Sequence, residues 1–137
     1  MISGLSHMTF VVKDLDAATK FWVDIFDAKE VYASGDKTFS EAREKFFLVG
    51  DIWVCIMEGT PLTKRTYNHI AFRVSDDDFD SYVQRIKDAG AEIKTGRPRV
   101  EGEGRSVYFY DFDNHLFELH TGGLKERLMR YDAPVDM

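Results

Sequence analysis

The chain repeats itself, and that repeat limits the folds open to it more than any other feature. With His7 placed over His69, Phe10 falls on Phe72, Val12 on Val74, Asp14 on Asp76 and Asp16 on Asp78. Further on, Ala28 meets Gly90, Glu30 meets Glu92 and Val31 meets Ile93. Internal similarity of this kind marks a chain built from two copies of one supersecondary unit. Each copy reads as a strand, an acidic turn, an amphipathic helix and a short strand, with two further strands behind it. The expected fold class is therefore α+β, with paired β-α-β-β-β modules.

The strand assignments rest on alternation and on β-branched or aromatic content in "MTFVV" and "IAFRV". Asp14 or Asp16 in the first copy, and Asp76 to Asp78 in the second, are suited to cap the helices that follow. Those helices are expected over "LDAATKFWVDIF" and "DFDSYVQRIKDAG". Ala18, Phe21, Trp22 and Ile25 form one apolar stripe, and Phe79, Tyr82, Val83 and Ile86 the other. Gly90 suits the position just past the second helix. The closing strand pairs are "KFFLVG" with "IWVCIME", turning at Gly50-Asp51, and "SVYFYDF" with "LFELHTG", turning at Asp113-Asn114-His115. Polar loops, "YASGDKTFSEARE" and "KTGRPRVEGEGR", separate the strands, and long loops of that kind often carry function. Module one spans about residues 3–59 and module two about 66–122, within one domain of residues 1–137. The tail, 123–137, begins helical in "LKERLMRY" and loosens after Pro134.

A length of 137 residues fits one domain with a core of its own. With 44% apolar and 31% charged residues, the chain is globular rather than disordered. No apolar run approaches the roughly 18 residues of a membrane span, and the N-terminus lacks the pattern of a secretory signal. Cys55 is the single cysteine, so no internal disulfide forms and a reducing cytoplasm is the expected location. A net charge of -6 argues against a nucleic-acid partner. Arg97, Arg99, Arg105, Lys125, Arg127 and Arg130 nevertheless gather in the last third. Such a cluster either holds a small anion or is a solvated basic surface, and composition alone favours the surface.

Two histidines hold equivalent places at the head of each module. Strand alternation puts His7 and Thr9 on one face, Tyr67 and His69 on another, and Glu118 beside Leu116 and His120. Glu118 lies within the apolar run "HLFELH", where an unpaired carboxylate is costly, so it needs a cation or donors. A His, His, Glu set suits Mn, Fe, Co, Ni or Zn with positions left open for substrate. In the repeat Cys55 matches Glu118; it is either a fourth ligand or, as its type favours, a small buried core residue. His115 and His120 fall outside this set, His120 being the better rival ligand.

The segments "GLSHMTFVVKDL", "YNHIAFRV", "GRSVYFYDFDNHLFELHTG" and "LKERL" together resemble the vicinal oxygen chelate superfamily, and within it the fosfomycin-resistance proteins. The similarity covers nearly the whole chain. It implies one divalent metal, usually Mn(II), held by His7, His69 and Glu118, with other divalent transition metals possible. It also implies a domain-swapped homodimer in which His7 of one chain joins His69 and Glu118 of the other. The family opens the epoxide of fosfomycin with a thiol or with water. "SGDKTFSEAREKFF", longer than the matching segment of the glutathione branch, brings Glu44 to the place of the hydrolase's general base. The stretch "EGEGRS" departs from that branch's potassium-binding loop.

What the resemblance implies is a Mn(II)-dependent epoxide hydrolase that turns fosfomycin into a vicinal diol. Glu44 would accept the proton of water. Thr9 would hydrogen-bond the ring oxygen, Tyr67, Tyr108 and Arg127 would contact substrate, and Trp53 would pack against it. A loop arginine, Arg99 or Arg97, would meet the phosphonate. By residue type alone, Glu44 in "SEAREK" reads as a solvated charge, Tyr67, Tyr108 and Trp53 as core aromatics, and Arg127 as a surface charge. Competing functions are a metal-dependent thiol transferase on the same drug, a drug-sequestering protein without catalysis, and a lyase or dioxygenase on another small molecule.

Overall fold

The computed structural model describes residues 1–37 and 39–134, so Thr38 in the first loop and the last three residues of the tail lie outside it. By contact the chain divides into two compact units, one per module. The first contains β1 (His7–Val12), α1 (Leu15–Phe26), β2 (Lys29–Ala33), β3 (Glu44–Val49) and β4 (Ile52–Glu58). The second contains β5 (His69–Arg73), α2 (Asp76–Asp88), β6 (Glu92–Lys94), β7 (Ser106–Tyr110), β8 (Leu116–His120) and α3 (Leu124–Arg130). Each unit has a four-stranded sheet, in the orders β1-β4-β3-β2 and β5-β8-β7-β6. In both, the first strand runs parallel to the last and the remaining pairs are antiparallel. The repeat in the sequence is thus a repeat in topology.

α1 forms where the apolar stripe is expected. Asp14 caps it, accepting from the N–H groups of Asp16 and Ala17 at 3.0 and 3.1 Å. Ala18, Phe21, Trp22, Ile25 and Phe26 are buried, with the Trp22 and Phe26 rings stacked at 4.5 Å. Burying side chains such as Phe21 and Ile25 stabilises by about 1.5–3 kcal/mol each. The helix ends at Asp27, whose φ of 55° turns the chain left-handed. The cap of α2 differs from expectation: Ser75, rather than one of the three aspartates, accepts from Asp78 N–H at 3.2 Å. Asp76, Asp77 and Asp78 occupy the first turn instead, where their charge meets the positive end of the helix dipole. Gly90 follows α2 with φ of 73°, as its position past the helix requires.

Two boundaries shift for local reasons. β3 starts at Glu44, one residue ahead of the apolar pattern, because the Glu44 carbonyl accepts from Ser34 N–H at 3.0 Å and its N–H donates to Ser34 Oγ at 3.0 Å. β7 stops at Tyr110 because the Asp111 carboxylate takes the N–H groups of Asp113 and His115 at 2.9 and 2.8 Å. That turn, Asp111–His115, belongs by contact to the first unit. Within it His115 Nδ1 bonds the Asp111 carboxylate at 2.7 Å, which fixes the ring against the turn. Among the described residues no helix is long and apolar enough to cross a membrane.

Candidate active site

Glu118 stands mid-way along β8, opposite Ala71 on β5 and Tyr108 on β7, with only 4% of its surface exposed. His69 opens β5. Its Nδ1 lies 2.7 Å from the Tyr67 carbonyl, an acceptor only, so Nδ1 carries a proton and donates it there. That tautomer leaves the Nε2 lone pair facing Glu118 Oε1 at 3.1 Å. Two electron-pair donors at this separation need a proton or a metal ion between them. The residues therefore fit a divalent cation, and the carbonyl behind His69 supplies the outer support such ligands use. Among the described residues no three His, Cys, Asp or Glu side chains gather as a metal-holding group. His69 and Glu118 bring two of the three expected ligands together.

The second oxygen of Glu118 is held by a defined hydrogen-bond chain. Ser106 Oγ lies 2.5 Å from Oε2 and 2.6 Å from His120 Nδ1, and Arg127 Nη2 lies 3.2 Å from His120 Nε2. Arg127 can only donate, so His120 Nε2 accepts. His120 Nδ1–H then donates to Ser106, and Ser106 donates to Glu118. Burial, and next the Arg127 charge, lower the His120 pKa, which keeps the ring neutral for this arrangement. His120 is thus a support for the carboxylate rather than a rival ligand. Burial alone would raise the Glu118 carboxyl, but hydrogen bonds from Ser106 and Tyr108 and the charge of Arg99 outweigh it and hold the carboxyl below its usual range.

The two loop arginines have different partners. Arg99 Nη2 donates to Tyr108 at 2.9 Å and to Glu118 Oε2 at 3.1 Å. Arg97 turns the other way, onto buried Glu103 at 2.9 Å and the Tyr131 hydroxyl at 3.0 Å. Tyr67 donates to Tyr108 at 3.2 Å, and the Tyr108 hydroxyl is pushed up to about 12 by burial, the Tyr67 bond and the Glu118 charge. The arginines read from composition as a solvated surface are largely engaged. Besides Arg97, Arg99 and Arg127, Arg105 binds Asp76 and Asp80 at 3.0 and 3.1 Å.

The first unit holds the other expected residues. His7 stacks on Trp53 with ring centroids 4.2 Å apart, its strand partner across β1 and β4. Thr9 pairs with Cys55 in the same register. Glu44 is buried, 8% exposed, which overturns the reading of it as a solvated charge, although Glu41 and Arg43 beside it are exposed. Its carboxylate is met by the Cys55 thiol at 3.7 Å, a weak donor. Burial first, and then the Glu44 charge, push the thiol up to about 11, so Cys55 carries its proton at neutral pH beside Glu44. Ser106 and Glu103 escaped the sequence reading. The signal for Ser106 was its place opposite His120 once the hairpin register is counted back from Asp113-Asn114.

Paired β-α-β-β-β sheets carrying an imidazole and a buried carboxylate at matched strand positions form the frame of glyoxalase-like metalloproteins. The family model of the Glyoxalase/Bleomycin resistance protein/Dioxygenase superfamily matches residues 4–119. The chain is 64% identical over 131 residues to the fosfomycin resistance protein FosX of Listeria monocytogenes, covering 96% of this chain and 98% of that protein. It is 37% identical to the metallothiol transferase FosB of Shouchella clausii, over 96% of this chain and 89% of that one. A crystal structure of a glutamate-to-glutamine mutant of the Listeria monocytogenes FosX, with Mn(II) and 1S,2S-dihydroxypropylphosphonic acid, superposes with a TM-score of 0.87 at 59% identity, covering 96% of this chain and 99% of that one. The chain belongs to this superfamily and, within it, to the FosX-type fosfomycin resistance proteins.

Proposed function

We propose that this protein confers fosfomycin resistance by Mn(II)-dependent hydrolysis of the drug's epoxide to a vicinal diol. The observation that carries the reading is the facing pair of His69 Nε2 and Glu118 Oε1 at 3.1 Å, held in place by the Tyr67 carbonyl and by Ser106. It is supported by the relatives: FosX of Listeria monocytogenes crystallises with Mn(II) and with the dihydroxypropylphosphonate that water addition to fosfomycin would give.

In this reading His7 is the third ligand and comes from a second copy of the chain. His7, Thr9, Glu44 and Trp53 of one protomer serve with His69, Glu118, Tyr67, Tyr108, Arg99 and Arg127 of its partner, in a cytoplasmic homodimer of swapped modules. Bound Mn(II) supplies Lewis acidity at the oxirane oxygen as its C–O bond breaks. Arg99 and Arg127 hold the phosphonate oxygens, with the Tyr67 and Tyr108 hydroxyls as uncharged contacts. Thr9 donates toward the ring oxygen, and Trp53 keeps the His7 ring in place by stacking. Glu44 takes a proton from water as its oxygen bonds to carbon on the side opposite the leaving oxygen, and that proton completes the second hydroxyl. A carboxylate suits this step because its close partner among the described residues, the Cys55 thiol, is too weak a donor to tie up its electron pairs.

Phosphorus NMR of fosfomycin incubated with the purified protein and Mn(II), without thiol, tests the proposal. Conversion to a single diol is expected, unchanged in rate when glutathione is added. Strict dependence on a thiol would move the protein to the transferase reading, and recovery of unaltered drug would leave sequestration.

A further inference from the structure

Glu103 lies in the loop between β6 and β7 with no exposed surface, yet neither the metal nor the water step uses it. Its Oε1 accepts from Arg97 Nη1 at 2.9 Å and from Val100 N–H at 3.1 Å, and its Oε2 accepts from the Tyr131 hydroxyl at 2.6 Å. Arg97 Nη2 closes the ring by donating to the same hydroxyl at 3.0 Å. Arg97 first, and then Tyr131, hold the Glu103 carboxyl down at about 2. Arg99 Nη1 lies 3.7 Å from Glu103 Oε1 and, among the described residues, makes no hydrogen bond, while Nη2 of the same guanidinium reaches Tyr108 and Glu118.

Two guanidiniums one residue apart on a loop repel each other, and either can turn toward an incoming anion. A single buried carboxylate beside both settles which one does. It captures Arg97 by direct hydrogen bonding and attracts the far edge of Arg99 by charge alone, so Arg99 keeps its other edge turned toward Glu118. Tyr131, at the end of α3, fixes the carboxylate from the opposite side, and so ties the loop to the C-terminal helix.

We propose that Glu103, braced by Tyr131, is the positioning residue that aims Arg99 at the phosphonate and withholds Arg97 from it. The inference rests on the reading of Arg99 as a phosphonate contact.

A double-mutant cycle on the Mn(II)-loaded full chain tests it, with methylphosphonate as the probe and calorimetric affinity as the readout. Glu103→Gln and Arg99→Ala should each weaken binding about tenfold or more, the usual cost of a lost charge-assisted contact. The double variant should bind no more weakly than Arg99→Ala alone, because the first residue acts through the second. Losses that multiply would show Glu103 acting elsewhere and overturn the proposal, as would wild-type affinity in Glu103→Gln. Should Glu103→Gln fail to fold, Tyr131→Phe takes its place in the cycle, with an expected loss of about threefold that vanishes in the Arg99→Ala background. A wild-type protein that does not bind methylphosphonate also overturns the proposal. A wild-type protein that binds it but makes no diol from fosfomycin sinks the hydrolase reading alone, and the cycle still decides the role of Glu103.

Discussion

The two sheets place their buried acids on opposite strands of equivalent hairpins. In the second sheet the carboxylate is on the last strand, at Glu118, and the hydroxyl on its neighbour, at Ser106, 2.5 Å away. In the first sheet the arrangement is reversed: the carboxylate is Glu44 on β3, and the sulfur of Cys55 stands on β4 at 3.7 Å. Glu118 is surrounded by donors, from Ser106, Arg99 and Tyr108, which favour its charged form and fix its orientation. Glu44 is buried and, among the described residues, its carboxylate meets the Cys55 thiol. A carboxylate bound on one oxygen by strong donors is pre-set to hold a cation with the other. One met only by a thiol among the described residues leaves its lone pairs open to another donor. A repeated fold thus places one acid on opposite strands of the equivalent hairpins, and in the proposed mechanism one serves as ligand and the other as base.

The largest effect that would sharpen this contrast comes from the ligands. His69→Ala and Glu118→Gln should lose Mn(II) binding, read by electron paramagnetic resonance, and activity with it. Next, Glu44→Gln should lower the rate of diol formation by about 10²–10⁴-fold, the range of a general base, while binding Mn(II) almost as the native protein does. If that variant lost metal instead, the two acids would not have separate duties and the comparison would break. Ser106→Ala removes only the outer support of Glu118, so Mn(II) affinity should fall about 10–100-fold with the site still formed.

The smallest effect concerns Cys55. With its thiol raised from an ordinary 9.0 to about 11, the folded protein keeps a proton that the unfolded chain releases. Its contribution to stability is therefore intact below pH 9 and declines as pH rises from there toward 11. Denaturant titrations should show that decline in the native protein and a flatter profile in Cys55→Ala. At pH 8 the native thiol should react with iodoacetamide far more slowly than the unfolded one.

The repeat made most of the fold legible. A doubled β-α-β-β-β pattern leaves few arrangements, and the apolar stripe of α1 predicted its bounds to the residue. The cap at Ser75 was harder to read because four candidate caps stand in a row, and only backbone geometry selects among them. At the site, His69 and Glu118 were legible from type and repeat position. Glu44 was not readable from its neighbours, since "SEAREK" looks like solvated chain; its burial depends on pairing between β3 and β4, which no local pattern records. Arg97 and Arg99 are chemically alike in sequence, and they are told apart by their partners, Glu103 and Tyr131 for one and Tyr108 and Glu118 for the other. Ser106 and His120 matter through a four-residue relay whose proton directions follow from three-dimensional contacts alone.

The oxygen that orients His69 belongs to the main chain of Tyr67, not to a side chain. No substitution of the Tyr67 phenol can delete it. A side-chain change at position 67 therefore leaves the tautomer of the imidazole in place, even where it removes the hydrogen bond to Tyr108.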